Sequence, residues 1–287
     1  MKTILTVIRK QENIDKFADS CADAFIMADR MFSSSYDQND LKECIKAAHR
    51  LNRKLYVRCD RLYDQNELEA LEGFLVNISE WGADGIIYSD IGVFSLLEKL
   101  SISCKGIYAP ETLLTNYRDI ADLKDDGVEG CVISKDIPLD DVIEIAENCP
   151  EYCYLRIHGP ILIAYSHRRY IASYLQEDRE HAEGYYLQEE TRDTRLPLVE
   201  KKEGSWLYGT VLQSLNVIKM LEEKPFAGFI VDNVFDDDEE TLRILDLYEK
   251  VIKGTLDGRT ALNQLDGSRE YTAIEDVRKT WLDKEQE

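Results

Sequence analysis

No apolar stretch of the chain approaches the roughly 20 residues that a membrane helix needs, and no basic, apolar and small-residue segments follow one another at the start as in a secretory signal. Basic charge is scarce: 35 lysines and arginines face 56 acidic residues, a formal net charge of −21. Such a surface repels polyanions, so direct, independent binding of nucleic acid is disfavoured. No G-x-G-x-x-G follows the first strand-like run and no G-x-x-x-x-G-K-[ST] occurs, which removes the common phosphate cradles. Neither a G-x-S-x-G elbow nor an H-E-x-x-H pair is present, so no hydrolytic nucleophile or zinc site can be named. The seven cysteines are odd in number and scattered, without a C-x-x-C pair, and none follows Cys153. They read as buried free thiols of a cytoplasmic protein.

What is present is a strict alternation. Short β-branched or aromatic runs recur at 4–8, 24–29, 54–60, 84–90, 105–109, 130–134, 154–159 and 227–233, each followed by an amphipathic segment. Asp40 with Glu43, and Asn66 with Glu69, form capping-box patterns ahead of helical apolar faces. Eight βα units predict an α/β fold of the (β/α)₈ type, spanning residues 1–254. The spacing breaks once, between the seventh and eighth strands, where an excursion over about 160–205 carries Tyr185 to Leu187 and Leu196 to Val199 on either side of a polar turn. A β-hairpin is expected there. Residues 255–287 are polar and read as an extension, with a surface helix over 270–287.

In such a barrel, chemistry belongs at the C-terminal ends of the strands. Asp29, Asp60, Asp90, Glu111, Asn116, Lys135, Asp136, His158 and Asp232 all stand at or just after those ends. Convergent carboxylates with a lysine and a histidine could perform acid–base chemistry or hold a small anionic metabolite; the same residue types also cap helices and form turns. His158, Lys135 and Asp136 are the candidate catalytic set, and Asp29, Asp60, Asp90, Glu111, Asn116, Tyr165, Arg168 and Asp232 the candidate binding set. The densest cationic run, His167-Arg168-Arg169 between Tyr165 and Tyr170, follows an expected turn at His158-Gly159-Pro160. It could meet a phosphate or a stacked base, or be neutralised by Glu177, Asp178, Glu180 and Glu183.

Taken in order, AFIMADRMFSS, KLYVRCDRLYDQNEL, DGIIYSDIGV, YAPETLLTN and HGPILIAYSHRRYIASY resemble the segments of the peptidase U32 family, over roughly residues 1–253. Lys135-Asp136 stand where that family usually has Arg-Glu, and the last segment overlies its signature H-G-x-x-C-x-x-Y-S-G-x-C. The resemblance implies a barrel protein of a group that includes collagenase-like peptidases and partners in ubiquinone and tRNA wobble-uridine hydroxylation. The two signature cysteines fall on Leu162 and Arg169, and its glycine on His167. Members with an iron–sulfur cluster need four thiolates. This chain therefore resembles a short member without a cluster or other cofactor. Such a member would partner a cluster-bearing paralogue and meet tRNA only through that complex, in a prephenate-dependent hydroxylation. The alternatives are a peptidase and a barrel enzyme acting on a small anion.

Overall fold

The computed structural model describes residues 1–179, 181–188 and 195–277. The apolar runs become parallel strands β1 (Thr3–Val7), β2 (Ala24–Ala28), β3 (Lys54–Cys59), β4 (Gly85–Tyr88), β5 (Lys105–Tyr108), β6 (Cys131–Val132) and β7 (Cys153–Ser166). Three antiparallel strands intervene, β8 (His181–Gln188), β9 (Arg195–Lys201) and β10 (Gly204–Gln213), before β11 (Gly228–Val231). Because β11 pairs in parallel with both β7 and β1, eight strands close into the expected barrel. Closure leaves no free edge among them.

Period-two alternation divides each strand between two cores. Leu5, Ile26, Tyr56, Ile87, Ile107, Val132, Tyr154 and Ile230 fill the lumen. Their neighbours Ile4, Phe25, Leu55, Ile86, Tyr108, Cys131, Leu155 and Phe229 pack outward into the helix layer. That layer comprises α1 (Leu41–Arg50), α2 (Leu68–Glu80), α3 (Ile91–Lys99), α4 (Tyr117–Asp125) and α5 (Leu139–Asn148). It continues, after α6 (Tyr170–Leu175) in the excursion, with α7 (Ile218–Glu222), α8 (Asp238–Lys253) and α9 (Gly258–Leu262). A 3₁₀ segment, Gln11–Phe17, stands between β1 and β2. Asp40 caps α1 as expected, accepting the Glu43 N–H at 3.2 Å. Asn66 does not cap α2, which starts after Glu67, whose carboxylate is drawn to Arg61 at 2.6 Å.

The hairpin of β8 and β9 forms as expected, and β10 returns antiparallel to β7. Two local expectations are corrected. The predicted turn at His158-Gly159-Pro160 is instead the middle of a 14-residue strand. There Gly159 takes φ +141 and the register against β11 skips Ile157, so the strand bulges and continues above the barrel rim to Ser166. The predicted surface helix over 270–287 does not form in its described part. Tyr271–Ala273 is a strand, β12, and Ile274–Asp276 a 3₁₀ turn; residues 278–287 lie outside the described residues. The reason is an open edge: β9 covers β10 only over Gly204–Leu207, and Tyr271–Ala273 takes the remaining edge at Val211–Gln213.

A Cβ on Gly159 would lie 2.7 Å from Cβ of Asp232, in a backbone conformation that L residues avoid. Gly159→Ala is expected to destabilise the protein by about 1–3 kcal/mol in urea unfolding. A midpoint equal to that of the unaltered chain would refute the role given to this bulge.

Candidate functional site

The inward alternation that buries Tyr56 and Tyr154 in the lumen puts Arg58 and Arg156, two residues further along β3 and β7, at the C-terminal mouth. Asp60 and Asp232 follow the ends of β3 and β11, Glu111 sits in the loop after β5, and Lys135 follows β6. These side chains meet. Arg58 Nη2 donates to Asp232 Oδ1 at 2.8 Å, and Arg156 Nη2 lies 3.3 Å from the other oxygen of the same carboxylate. Arg156 also grips Glu111 in a bidentate fork at 2.8 and 3.1 Å, and Lys135 Nζ binds the same carboxylate. Asp60, 3.9 Å from Arg58 Nε, accepts the N–H and hydroxyl of Ser34 at 2.7 and 2.6 Å.

Three cations and three carboxylates therefore neutralise one another across the mouth. Burial alone would raise Glu111, but Arg156 and Lys135 hold its carboxyl well below the usual carboxylate range. Asp232 is likewise pushed up by burial and pulled further down by Arg58 and Arg156. Lys135 is lowered, burial outweighing Glu111. Both carboxylates are thus held as acceptors of buried cations.

The excursion roofs this network. Val199 of β9 and Trp206 and Tyr208 of β10 are buried against Tyr36, Leu162, Tyr165, Val234 and Phe235. The roof is pinned by Lys201, whose buried ammonium donates to the carbonyls of Arg30, Ser33 and Ser35 at 2.7, 2.8 and 2.9 Å. Burial lowers that lysine to about 8. Beneath the roof, Asp60, Glu111, Arg156 and Asp232 line a cavity of about 30 Å³, room for a water or two.

Of the residues singled out in the sequence, Asp60, Glu111, Lys135 and Asp232 come together. Asp29 instead accepts the Met31 N–H at 2.8 Å. Asp90 caps α3 through Gly92 at 2.8 Å, and Asn116 caps α4 through Arg118 and Asp119 at 3.0 and 3.1 Å. Asp136 is exposed beside Lys135, the Tyr165 ring lies tilted against Trp206 with centroids 4.9 Å apart, and Arg168 is exposed beyond β7. The expected place of His158 at the mouth is corrected. The bulge turns it outward onto α8, where its ring lies 5.9 Å from Tyr248 and 6.1 Å from Tyr271. It is 1% exposed, its Nε2 has no hydrogen-bond partner, and burial, then Arg269 and Arg243, push it down to about 3. Sequence reasoning missed Arg58 and Arg156. Their signal was a repeated Tyr-x-Arg in two barrel strands, Tyr56-Val57-Arg58 and Tyr154-Leu155-Arg156.

The residues present do not fit an iron–sulfur cluster. Leu162 belongs to the apolar roof, and Arg169 is paired with Asp178 at 2.6 Å and lies 3.7 Å from the buried Glu200. The Sγ atoms of Cys131 and Cys153, 3.8 Å apart, are buried in the outer layer away from the mouth. Their mutual hydrogen bond, then burial, hold Cys131 far above the thiol range. Among the described residues no group of three or more His, Cys, Asp or Glu could hold a metal ion.

The model of peptidase family U32 matches residues 10–287, and the chain belongs to that family. It is 22% identical to tRNA hydroxylation protein P2 of Bacillus subtilis, over 83% of this chain and 81% of that protein. It is 25% identical to an uncharacterized protease of Methanocaldococcus jannaschii, over 80% of this chain but 58% of that protein. To tRNA hydroxylation protein P1 of Bacillus subtilis it is 19% identical, over 51% of this chain and 35% of that protein.

Acid should act on this structure in two stages. His158 is neutral when folded but protonates at its ordinary value of 6.5 when unfolded, so its stabilising share is whole above that pH and shrinks as pH falls towards 3. Glu111 and Asp232, depressed in the fold, contribute fully above the carboxylate range near 4 and lose that contribution as pH falls further. Urea unfolding should show a decline of up to about 2 kcal/mol between pH 6.5 and 5, largely absent in His158→Gln. Persistence of the full decline in that variant would contradict the assignment. At pH 7, Glu111→Gln, which strips Arg156 and Lys135 of their shared carboxylate, is expected to cost about 3–5 kcal/mol.

Proposed function

We propose that this chain, as a member of peptidase family U32, serves in tRNA wobble-uridine 5-hydroxylation as the subunit without an iron–sulfur cluster, beside a cluster-bearing U32 paralogue. The observation that carries this reading is the fate of the signature segment. Where relatives of the cluster type would present thiolates, Leu162 fills an apolar roof and Arg169 is held by carboxylates. Likeness over most of its length to a relative named tRNA hydroxylation protein P2, in an organism that also has a P1, supports a paired arrangement.

The mouth favours a supporting role for physical reasons. A general acid or base must reach a substrate proton with its own pKa near the working pH. Here Glu111 and Asp232 are both held far below it by arginines that they neutralise, under a roof that leaves room for a water or two. Prephenate is a dicarboxylate, and the arginine pair that could receive it in this chain is already occupied by carboxylates. We therefore assign the prephenate-dependent step and the redox chemistry to the paralogue. The net charge of −21 agrees with tRNA being gripped by the complex rather than by this chain alone.

Deleting the gene in its own cell is expected to lower 5-hydroxyuridine-derived nucleosides in tRNA digests measured by mass spectrometry, with recovery on return of the gene. A tagged copy should bring down the cluster-bearing paralogue. Unchanged nucleosides in the deletion strain would overturn the proposal, and peptide cleavage by the purified chain would replace it with the peptidase reading.

A further inference from the structure

The opposite end of the barrel is built differently. Its floor is made by Tyr56 and Tyr154, inward on β3 and β7. The rings fit because the neighbouring strands carry glycine. A Cβ on Gly85 would come within 2.3 Å of the Tyr56 ring, and one on Gly228 within 3.0 Å of Tyr154. Lys105 Nζ donates to the Tyr154 hydroxyl at 3.0 Å and lies 5.2 Å from the centre of that ring.

Below this floor opens a depression of about 990 Å³. Lys2, Arg53, Lys54 and Lys105 line it, with Asp23, Asp84 and Glu151. Among the described residues Lys2, Lys54 and Lys105 form no ion pair, and the Arg53 guanidinium reaches only the carbonyls of Ala18 and Ser20, at 3.3 and 3.4 Å. Two of the acids already have donors. Asp84 accepts from His49 and from the Leu55 N–H, both at 2.8 Å, and Asp23 accepts the Ile4 N–H at 2.9 Å. In a chain of net charge −21, this is a roomy concavity whose lysines form no ion pair among the described residues, unlike the narrow mouth, whose cations are paired with carboxylates.

We propose that this N-terminal end of the barrel binds a small oxyanion of two or more charges, with Lys54 and Lys105 as its main contacts and the Tyr154 hydroxyl beside them. The size of the ligand follows from screening. At physiological ionic strength charges act over roughly 8 Å, so a small anion in the depression experiences the local lysines. A polyanion extending across the surface would meet the acidic remainder of the protein. Phosphate and carboxylate groups share the required chemistry, and the test separates them.

Isothermal titration of the full chain at low salt with inorganic pyrophosphate, and separately with citrate, is expected to give saturable binding to at least one; the tighter of the two identifies the class. Lys54→Gln, at an exposed position, should weaken it, and Lys54→Gln with Lys105→Gln should weaken it on the order of tenfold or more. Arg179→Gln, on an exposed residue paired with Glu177 in the excursion, should leave it unchanged. Thermal unfolding of each variant checks that the fold is kept, and the single Lys54→Gln variant decides if the double one does not fold. No saturable heat with either anion up to about 10 mM would overturn the proposal. Equal loss in Arg179→Gln would do so too. Binding of tRNA tighter than that of either small anion, and lost in the same lysine variants, would replace it with a nucleic-acid face.

Discussion

The Asp232 carboxylate, held between Arg58 and Arg156, is the interaction on which the upper half of this barrel depends. It joins β3, β7 and β11, strands far apart in sequence, at the level where the lumen changes from apolar to polar. Through Arg156 it extends to Glu111 and Lys135, and so to the loops after β5 and β6. Ions buried in this way are stable only as a complete set, because each loses its hydration and keeps only its partners. The set is complete within the chain: every charge in it is answered by another. The same completeness accounts for the roof. Trp206 and Tyr208 line one cavity with Arg58, Asp60, Glu111, Arg156 and Asp232, an apolar cover over charges that pair with one another.

Gly159 links the network to the roof. Its positive φ lets β7 pass within contact of Asp232, and the bulge there carries the strand out of the barrel to pair with β10. Without that bend the alternation of β7 would continue, and His158 would follow Arg156 inward. Instead His158 faces α8, and the strand that closes the lumen also builds the cover of its mouth.

Much of this was legible in the sequence because barrel strands and helices are specified locally. Each strand is a short apolar run and each helix an amphipathic one, so all eight barrel strands were found by pattern. The hairpin was legible for the same reason. What local pattern could not supply was direction. His158 and Arg156 are two residues apart and should share a face; only the bulge, a property of β7 against β11 and Asp232, separates them. Asp29, Asp90 and Asn116 were equally good candidates on position alone, and the backbone amides next to them claimed their side chains. The arginines were overlooked because a charged residue inside a strand looks like a surface position. The tyrosine two residues earlier was the sign that it was not.

That Tyr-x-Arg pattern gives the barrel its polarity. On β3 and β7 the same inward face begins with a tyrosine at the floor and ends with an arginine at the mouth. At the mouth the arginines meet carboxylates contributed by loops, the charges cancel, and an aromatic roof becomes possible. At the floor the tyrosines fill space left by glycines and end in hydroxyls, which cancel no charge, so the lysines around them keep theirs. Leu162 belongs to that roof, and Arg169, beyond it, pairs with Asp178. Lysines that form no ion pair among the described residues lie at the other end.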